Sequence, residues 1–239
     1  TGCTACGGCM IGCQVGAKNT LEKNYLYFAE KWGVKILPEI KVTKIIPISN
    51  KEFDPAQSNS GYEVHGYSVH SLFFKKKFVY RAQNVVLSAG VMGTVDLLFR
   101  NKENYKTLPN ISDKLGETVR TNGESLIGVT SFEAHRNLSK GIAIGSAFHP
   151  DANTKIESVR YPSGSSVMKF LAVPLTGSGN AFVRPLKLLA NIILKLPATL
   201  KTYFAKDWAK QSIILLVMQS VENKMKLKRL PSYWLMKIY

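Results

Sequence analysis

Leu21, Tyr25, Phe28, Ala29 and Trp32 recur at helical spacing. With Asn19 or Thr20 as the cap and Gly33 as the stop, they predict a helix ending near Trp32 with one buried face. The Val- and Ile-rich run from Val34 to Ile48 predicts a strand. A polar turn region with Pro55 follows over Asn50 to Gly61, and Tyr62 to Tyr80 alternates as a hairpin would. Asn84 to Gly90 is a short apolar run ending in Gly, read as a strand. Val91 to Thr94 then turns the chain, and Val95 to Arg100 reads as a helix start. Residues 103–125 are polar, with Pro109 and Gly116. Ile142, Ile144, Ala147 and Phe148 announce another sheet. Arg184 to Trp208 is a basic amphipathic stretch of helical character. Pro185 suits its first turn, and Pro197 should kink or interrupt it. Ser212 to Met218 is apolar on both alternating sets of positions, as in a buried strand.

Composition adds a class and a charge. The 239 residues are 45% hydrophobic and 20% charged, which is ordinary globular usage with room for a sizeable core. The length suits one large domain or parts of two. No apolar run reaches the ~18 residues of a spanning helix; the longest, Leu186 to Leu200, is interrupted by Lys187, Lys195 and Pro197. The formal charge of +16 would attract phosphates, acidic membrane surfaces or nucleic acid. The cations are dispersed, however, with small clusters at Lys75–Lys77 and Lys224–Arg229, and no nucleic-acid-binding motif accompanies them. Nucleic acid is therefore not the expected partner. The chain opens at Thr1, directly inside a cysteine cluster, and the expectation is an internal start.

Two segments carry candidate chemistry. Strand, Gly turn and helix over 84–100 is how a nucleotide-binding sheet approaches a ligand, because Gly lets backbone come close and a helix N-terminus favours anions. The same turn also joins strands to helices with no ligand present. Cys3, Cys6, Cys9 and Cys13 have the C-x2-C-x2-C-x3-C spacing of ferredoxin ligands, although Gln14 stands where ferredoxins carry Pro. From spacing alone, an iron–sulfur cluster, disulfides and free thiols remain open. Zinc, which prefers two separated pairs, fits less well.

Around these segments the chain resembles the glucose–methanol–choline oxidoreductases, particularly their cholesterol-oxidase-like branch. The resemblance rests on Cys9-Met-Ile-Gly-Cys-Gln-Val-Gly-Ala-Lys-Asn-Thr-Leu21 and on Asn84-Val-Val-Leu-Ser-Ala-Gly-Val-Met-Gly-Thr94. It continues in Leu115-Gly-Glu-Thr-Val-Arg120 with Asn122 and Glu124, in Ile156-Glu-Ser-Val-Arg-Tyr161, and in Ile214-Leu-Leu-Val-Met-Gln219. These segments are collinear and reach to about residue 228; the last stretch, 229–239, departs from the pattern.

The resemblance implies an α/β fold, α+β overall, with an incomplete FAD-binding Rossmann-like domain and part of a sheet-based substrate domain. The implied division is 1–114 for the FAD-binding part, 115–228 for the substrate-binding part and 229–239 as an atypical tail. Val42 would meet the adenine ring through strand backbone, with Gly90 and Gly93 in the turn near the adenosine end of FAD. The family's phosphate-cradling G-x-G-x-x-G should precede Thr1 and its His and Asn should follow Tyr239, so no catalytic residue is expected in this chain. The implied activity of the parent is oxidation of an alcohol, with a sterol 3-hydroxyl the leading substrate, by hydride transfer to FAD. By analogy with related sugar dehydrogenases, Cys3, Cys6, Cys9 and Cys13 are candidate iron–sulfur ligands. The alternative is an iron–sulfur electron-transfer module, or a basic membrane-associated one, without oxidase activity. Peripheral membrane contact through Arg184 to Trp208 is a further expectation, and localisation is cytoplasmic or at the membrane periphery. His65, His70 and His135 read as strand or loop surface, His149 as a loop residue, and Arg160 as a partner of Glu157. Ser165 and Ser166 occupy the region where a family glutamate is not matched.

Overall fold

The computed structural model describes residues 2–48, 61–70, 74–133, 135–222, 224–229 and 234–238. The chain forms two compact units that interleave along the sequence: 28–120 with 224–239, and 1–27 with 121–223.

The first unit is built on an antiparallel meander of β1 (Ile40–Ile48), β2 (Gly61–Ser68) and β3 (Lys77–Ala82), in that order. The hairpin read from alternation is therefore present. Glu63 stands opposite Arg81, and the two make a 2.7 Å ion pair. Val42 stands opposite Gly66, where a Cβ would sit 2.9 Å from the Lys41 carbonyl oxygen, so only glycine lets the strands close there. Helix α2 (Gly90–Phe99) runs on into a π-helical turn over Arg100–Asn104. It buries Leu97 and Phe99, while Ile45 is the buried residue of β1. Strands β8 (Met225–Arg229) and β9 (Trp234–Ile238) form a hairpin joined to the unit by a Val119–Met225 bridge and by the Leu227 N–H donating to the Gly116 carbonyl.

The second unit holds a four-stranded antiparallel sheet ordered β4 (Ser125–Thr130), β7 (Ser212–Gln219), β6 (Thr154–Val159), β5 (Ile144–Asp151). The apolar run at 212–218 is the interior strand β7, paired on both edges. Val159, Trp208 and Ile214 form the buried core of this unit, with Tyr161, Met168 and Leu216 packed on it. Helices α3 (Val183–Leu194) and α4 (Leu196–Tyr203) are separate, breaking at Lys195 with Pro197 in the first turn of α4, as the proline rule expects. A one-turn helix, α5 (Trp208–Gln211), leads into β7.

Mixed helices and antiparallel sheets agree with the expected fold class. Several local expectations need correction. The helix read up to Trp32 is a 3-10 turn (Leu21–Lys23) and then α1 (Tyr25–Lys31). Asn24 leaves helical geometry at φ −132°, ψ −94°, and its side chain bonds locally, accepting the Tyr25 N–H and donating to Asn19. Its supposed buried face is exposed, with Tyr25 at 78% and Trp32 at 84%. The strand read from Val34 starts only at Ile40, because Pro38 and the left-handed Glu39 (φ 58°) turn the chain first. Residues 84–88 join no ladder among the described residues, and α2 begins at Gly90 rather than Val95. The turn expected over 50–60 lies outside the described residues.

Candidate functional site

Val42, Gly90 and Gly93 all fall in the first unit. Strand β1 changes register between Val42 and Lys44, so Thr43 bulges out of the ladder. A bulge of this kind re-aims the neighbouring strand residues. It is held by Asn101, which is fully buried in the π-helical turn after α2. The Asn101 Oδ1 accepts the Ile45 N–H at 2.8 Å and the Thr107 hydroxyl at 2.8 Å. Its Nδ2 donates to the Leu97 carbonyl at 2.7 Å and reaches the Thr43 carbonyl at 3.5 Å. One amide thus ties the bulge beside Val42 to the end of α2. Sequence reasoning missed it, because an Asn in a run of Arg, Asn, Lys and Glu looks like solvated helix surface.

At the other end of α2, Gly90 has φ +71°, and a Cβ there would meet nothing within 4 Å. The backbone is open to a close approach, and the first turn has no side-chain cap. Gly93 differs: a Cβ would lie 3.2 Å from the Ala89 methyl, a tight contact that Ala89 would have to relieve by a few tenths of an ångström. Beside the bulge lies a cleft of about 320 Å³ lined by Thr43, Lys44, Tyr67, Lys75, Lys77 and Tyr105 among others. Lys44 lies over the Tyr105 ring at 5.2 Å and Lys75 over the Tyr67 ring at 4.7 Å, so the cations are held by aromatic faces. Such a lining suits an anion. An open glycine at a helix start and a cationic cleft beside β1 are compatible with the adenosine phosphate end of a flavin nucleotide.

The cysteines lie in the second unit. All four are free; Cys3 and Cys6 are exposed, and Cys9 and Cys13 are half-buried. The Cys13 sulfur accepts the N–H groups of Lys18 and Ala17 at 3.3 and 3.2 Å. The backbone bond from Lys18, helped by that from Ala17 and by the Lys23 charge, holds its thiol below the usual range. No set of three His, Cys, Asp or Glu side chains is gathered for a metal among the described residues. The loop is instead fixed by docking on 139–141: Gly141 donates to the Ala5 carbonyl at 2.7 Å, and a Cβ on Gly7 would strike the Ser139 carbonyl. Ferredoxin spacing is present in sequence, but this backbone path does not bring the sulfurs together, and the residues as folded do not fit an iron–sulfur cluster.

The remaining candidates have structural partners. His65, His70 and His135 pair with Glu63, Glu39 and Glu133 at 3.0, 2.8 and 3.5 Å. His149 lies on the exposed strand β5, not in a loop. Glu157 pairs with Lys155 at 2.5 Å rather than with Arg160, whose guanidinium donates to the Lys140 carbonyl beneath Gly141. The Ser166 hydroxyl accepts the Trp208 N–H at 3.3 Å, so it helps dock the 163–166 turn on the core.

Comparison with known proteins finds a family match in the first part of the chain. Residues 1–102 match the family described as GMC oxidoreductase. This part of the chain is similar to the GMC oxidoreductase family. The GMC match spans the cysteine loop, β1 to β3 and α2, and so contains Val42, Gly90, Gly93 and Asn101. A cholesterol oxidase of Acinetobacter baumannii is 43% identical over 229 residues, covering 95% of this chain and 40% of that protein. A cholesterol oxidase of Mycobacterium tuberculosis strain H37Rv is 37% identical over 229 residues, covering 93% of this chain and 38% of its own length. The chain therefore spans about two-fifths of the length of these relatives.

Proposed function

We propose that this chain is part of an FAD-dependent oxidoreductase that oxidises an alcohol, with a sterol 3-hydroxyl as the leading substrate. The observation that carries the reading is similarity to proteins named cholesterol oxidase along almost the whole chain, at 37–43% identity. FAD held by these residues would supply the hydride acceptor for oxidation of the carbinol carbon. The contribution of these residues is to binding. Val42 backbone meets the adenine, Gly90 lets the nucleotide come close to the start of α2, and Gly93 keeps the entry to that helix tight. Asn101 keeps the bulge next to Val42 in register. Residues 1–114 serve the nucleotide, 115–228 the substrate side, and 229–239 stand apart. No residue of this chain is assigned to proton transfer. The rival reading, an iron–sulfur electron carrier, gains no support from the cysteine loop.

The test is a substrate panel on the natural protein at the full length of its relatives. A sterol, a long-chain primary alcohol and a sugar are each supplied with oxygen or an artificial acceptor, and carbonyl product is measured by mass spectrometry. A 3-ketosteroid is the expected product. Turnover of the sugar or the linear alcohol alone would overturn the sterol assignment and leave the flavin reading standing.

A further inference from the structure

The loop that fails to gather four sulfurs ties two of its cysteines to one residue. Lys18 donates its N–H to the Cys13 sulfur at 3.3 Å and its Nζ to the Cys9 carbonyl at 3.2 Å. Cys9 sits in a one-turn 3-10 helix (Gly8–Met10), and Gly12, at φ +117°, lies on the short path from there to Cys13. A Cβ on Gly12 would meet nothing within 4 Å, so this link has space to move. Both cysteines are half-buried. Cys3 and Cys6 are exposed and belong to the part of the loop docked on 139–141, where Cys6 bridges to Gly141.

The surroundings of Cys13 favour a thiolate. The turn after it closes with the Gly16 N–H on the Cys13 carbonyl at 3.1 Å, and Gly16 is left-handed at φ +66°. A turn of this kind aims successive backbone N–H groups at one point, which attracts an anion. The Ala17 N–H, at 3.2 Å, joins that of Lys18 on the sulfur. The Cys3 sulfur accepts one N–H, from Ala5 at 3.3 Å. Lys23 adds its ammonium, held on the Gly16 and Lys18 carbonyls. No Asp or Glu precedes Glu22 in the chain, and Glu22 is taken by the Thr20 hydroxyl at 2.7 Å. The thiolate is the nucleophilic form of cysteine, and oxidation by a peroxide follows thiolate character and access.

We propose that Cys13 and Cys9 form a peroxide-reactive dithiol, in which Cys13 is the nucleophile and Cys9 resolves it. The Cys13 thiolate attacks one oxygen of hydrogen peroxide. An S–O bond forms, the O–O bond breaks and hydroxide leaves, so Cys13 becomes a sulfenic acid. The Cys9 sulfur then attacks the Cys13 sulfur and gives up its proton as the sulfenic oxygen departs as water. The two cysteines lose two electrons to a disulfide, and the peroxide is reduced to hydroxide and water. This chemistry does not depend on the flavin reading.

Peptide mapping of the natural full-length protein tests it. The reduced protein is treated with hydrogen peroxide, the remaining thiols are blocked, and each cysteine is followed by mass spectrometry. A Cys9–Cys13 disulfide should form several-fold faster than any bond through Cys3 or Cys6. In Cys9→Ser, dimedone should trap a sulfenic acid at Cys13. In Cys13→Ser, Cys9 should stay reduced over the same time, and circular dichroism checks that both variants stay folded. In urea the preference should vanish, because the backbone N–H groups and Lys23 no longer surround the Cys13 sulfur. Disulfides through Cys3 or Cys6 forming first, no dimedone adduct at Cys13 in Cys9→Ser, or the same preference in urea would overturn the proposal.

Discussion

Replacing Asn101 by Ala removes the amide that joins the β1 bulge to the end of α2. The side chain is fully buried and makes three short hydrogen bonds, to the Ile45 N–H, the Leu97 carbonyl and the Thr107 hydroxyl. The Leu97 carbonyl belongs to a helix and keeps other donors within reach. The Ile45 N–H, on the edge strand β1, has Asn101 Oδ1 as its acceptor, and Ile45 itself is buried. Two lost bonds and one orphaned buried donor amount to a destabilisation of about 3 kcal/mol. Urea unfolding followed by circular dichroism should show a lower midpoint at unchanged slope, and hydrogen exchange should quicken at Ile45 before the rest of β1. If Val42 meets FAD as proposed, the same change should also weaken FAD binding, because Val42 adjoins the bulge. Asn101→Asp gives the sign test. A carboxylate could still accept from Ile45 and Thr107, but its second oxygen would face the Leu97 carbonyl. Burial therefore raises its pKa above the unfolded value of about 3.9. The variant should be most stable below that value and lose stability as pH rises through the raised folded pKa. A loss under about 1 kcal/mol in the Ala variant, with exchange at Ile45 unchanged, would refute the claim that Asn101 holds the bulge.

Two glycines in left-handed conformations should respond differently to Ala. Gly116→Ala drives a Cβ to 2.4 Å from the Leu227 carbonyl and 3.0 Å from the Phe99 ring, so it should unfold the β8 attachment. Gly90→Ala meets open space and should cost only about 1 kcal/mol of backbone strain, as chemical denaturation of the two variants would show. Lys226 and Lys114 hold the Glu117 carboxyl down at about 2 through bonds of 2.7 and 3.0 Å. Its folded pKa is depressed from 4.5, so its contribution is present above that pH and lost as pH falls towards about 2. The stability gap between the wild-type chain and Glu117→Gln, measured by urea titration across that window, should close accordingly. Thiol titration of the native chain should find Cys3 and Cys6 reacting readily, and all four cysteines should react after unfolding without reductant.

Elements with a strong local pattern of their own were legible. Alternation found the β2–β3 hairpin, the apolar run found β7, and Pro197 marked the break between α3 and α4. The errors arose where a local competitor or a distant contact decides the outcome. Asn24 interrupts a helical pattern by bonding to its own neighbours, and an exposed aromatic stripe has the same periodicity as a buried one. Pattern therefore gave the helix α1 but the wrong environment for Tyr25 and Trp32. The cysteine spacing named a ligand set, while the path of the loop is fixed by Ser139 and Gly141, more than a hundred residues away. Asn101 carried no signal of its own, since its role exists only once Thr43 bulges. The resemblance to the GMC oxidoreductases was legible in ordered, collinear segments of sequence, and the match over 1–102 agrees with it.

The proposed function makes this chain part of a flavoprotein that an alcohol reduces. An anaerobic titration of the full-length natural protein with a 3-hydroxysterol, followed by visible absorbance, tests it most directly. The account predicts one FAD per protein, whose oxidised band bleaches as sterol is added and returns on admitting an electron acceptor. A purified, folded protein with no flavin, unable to bind added FAD, would contradict it.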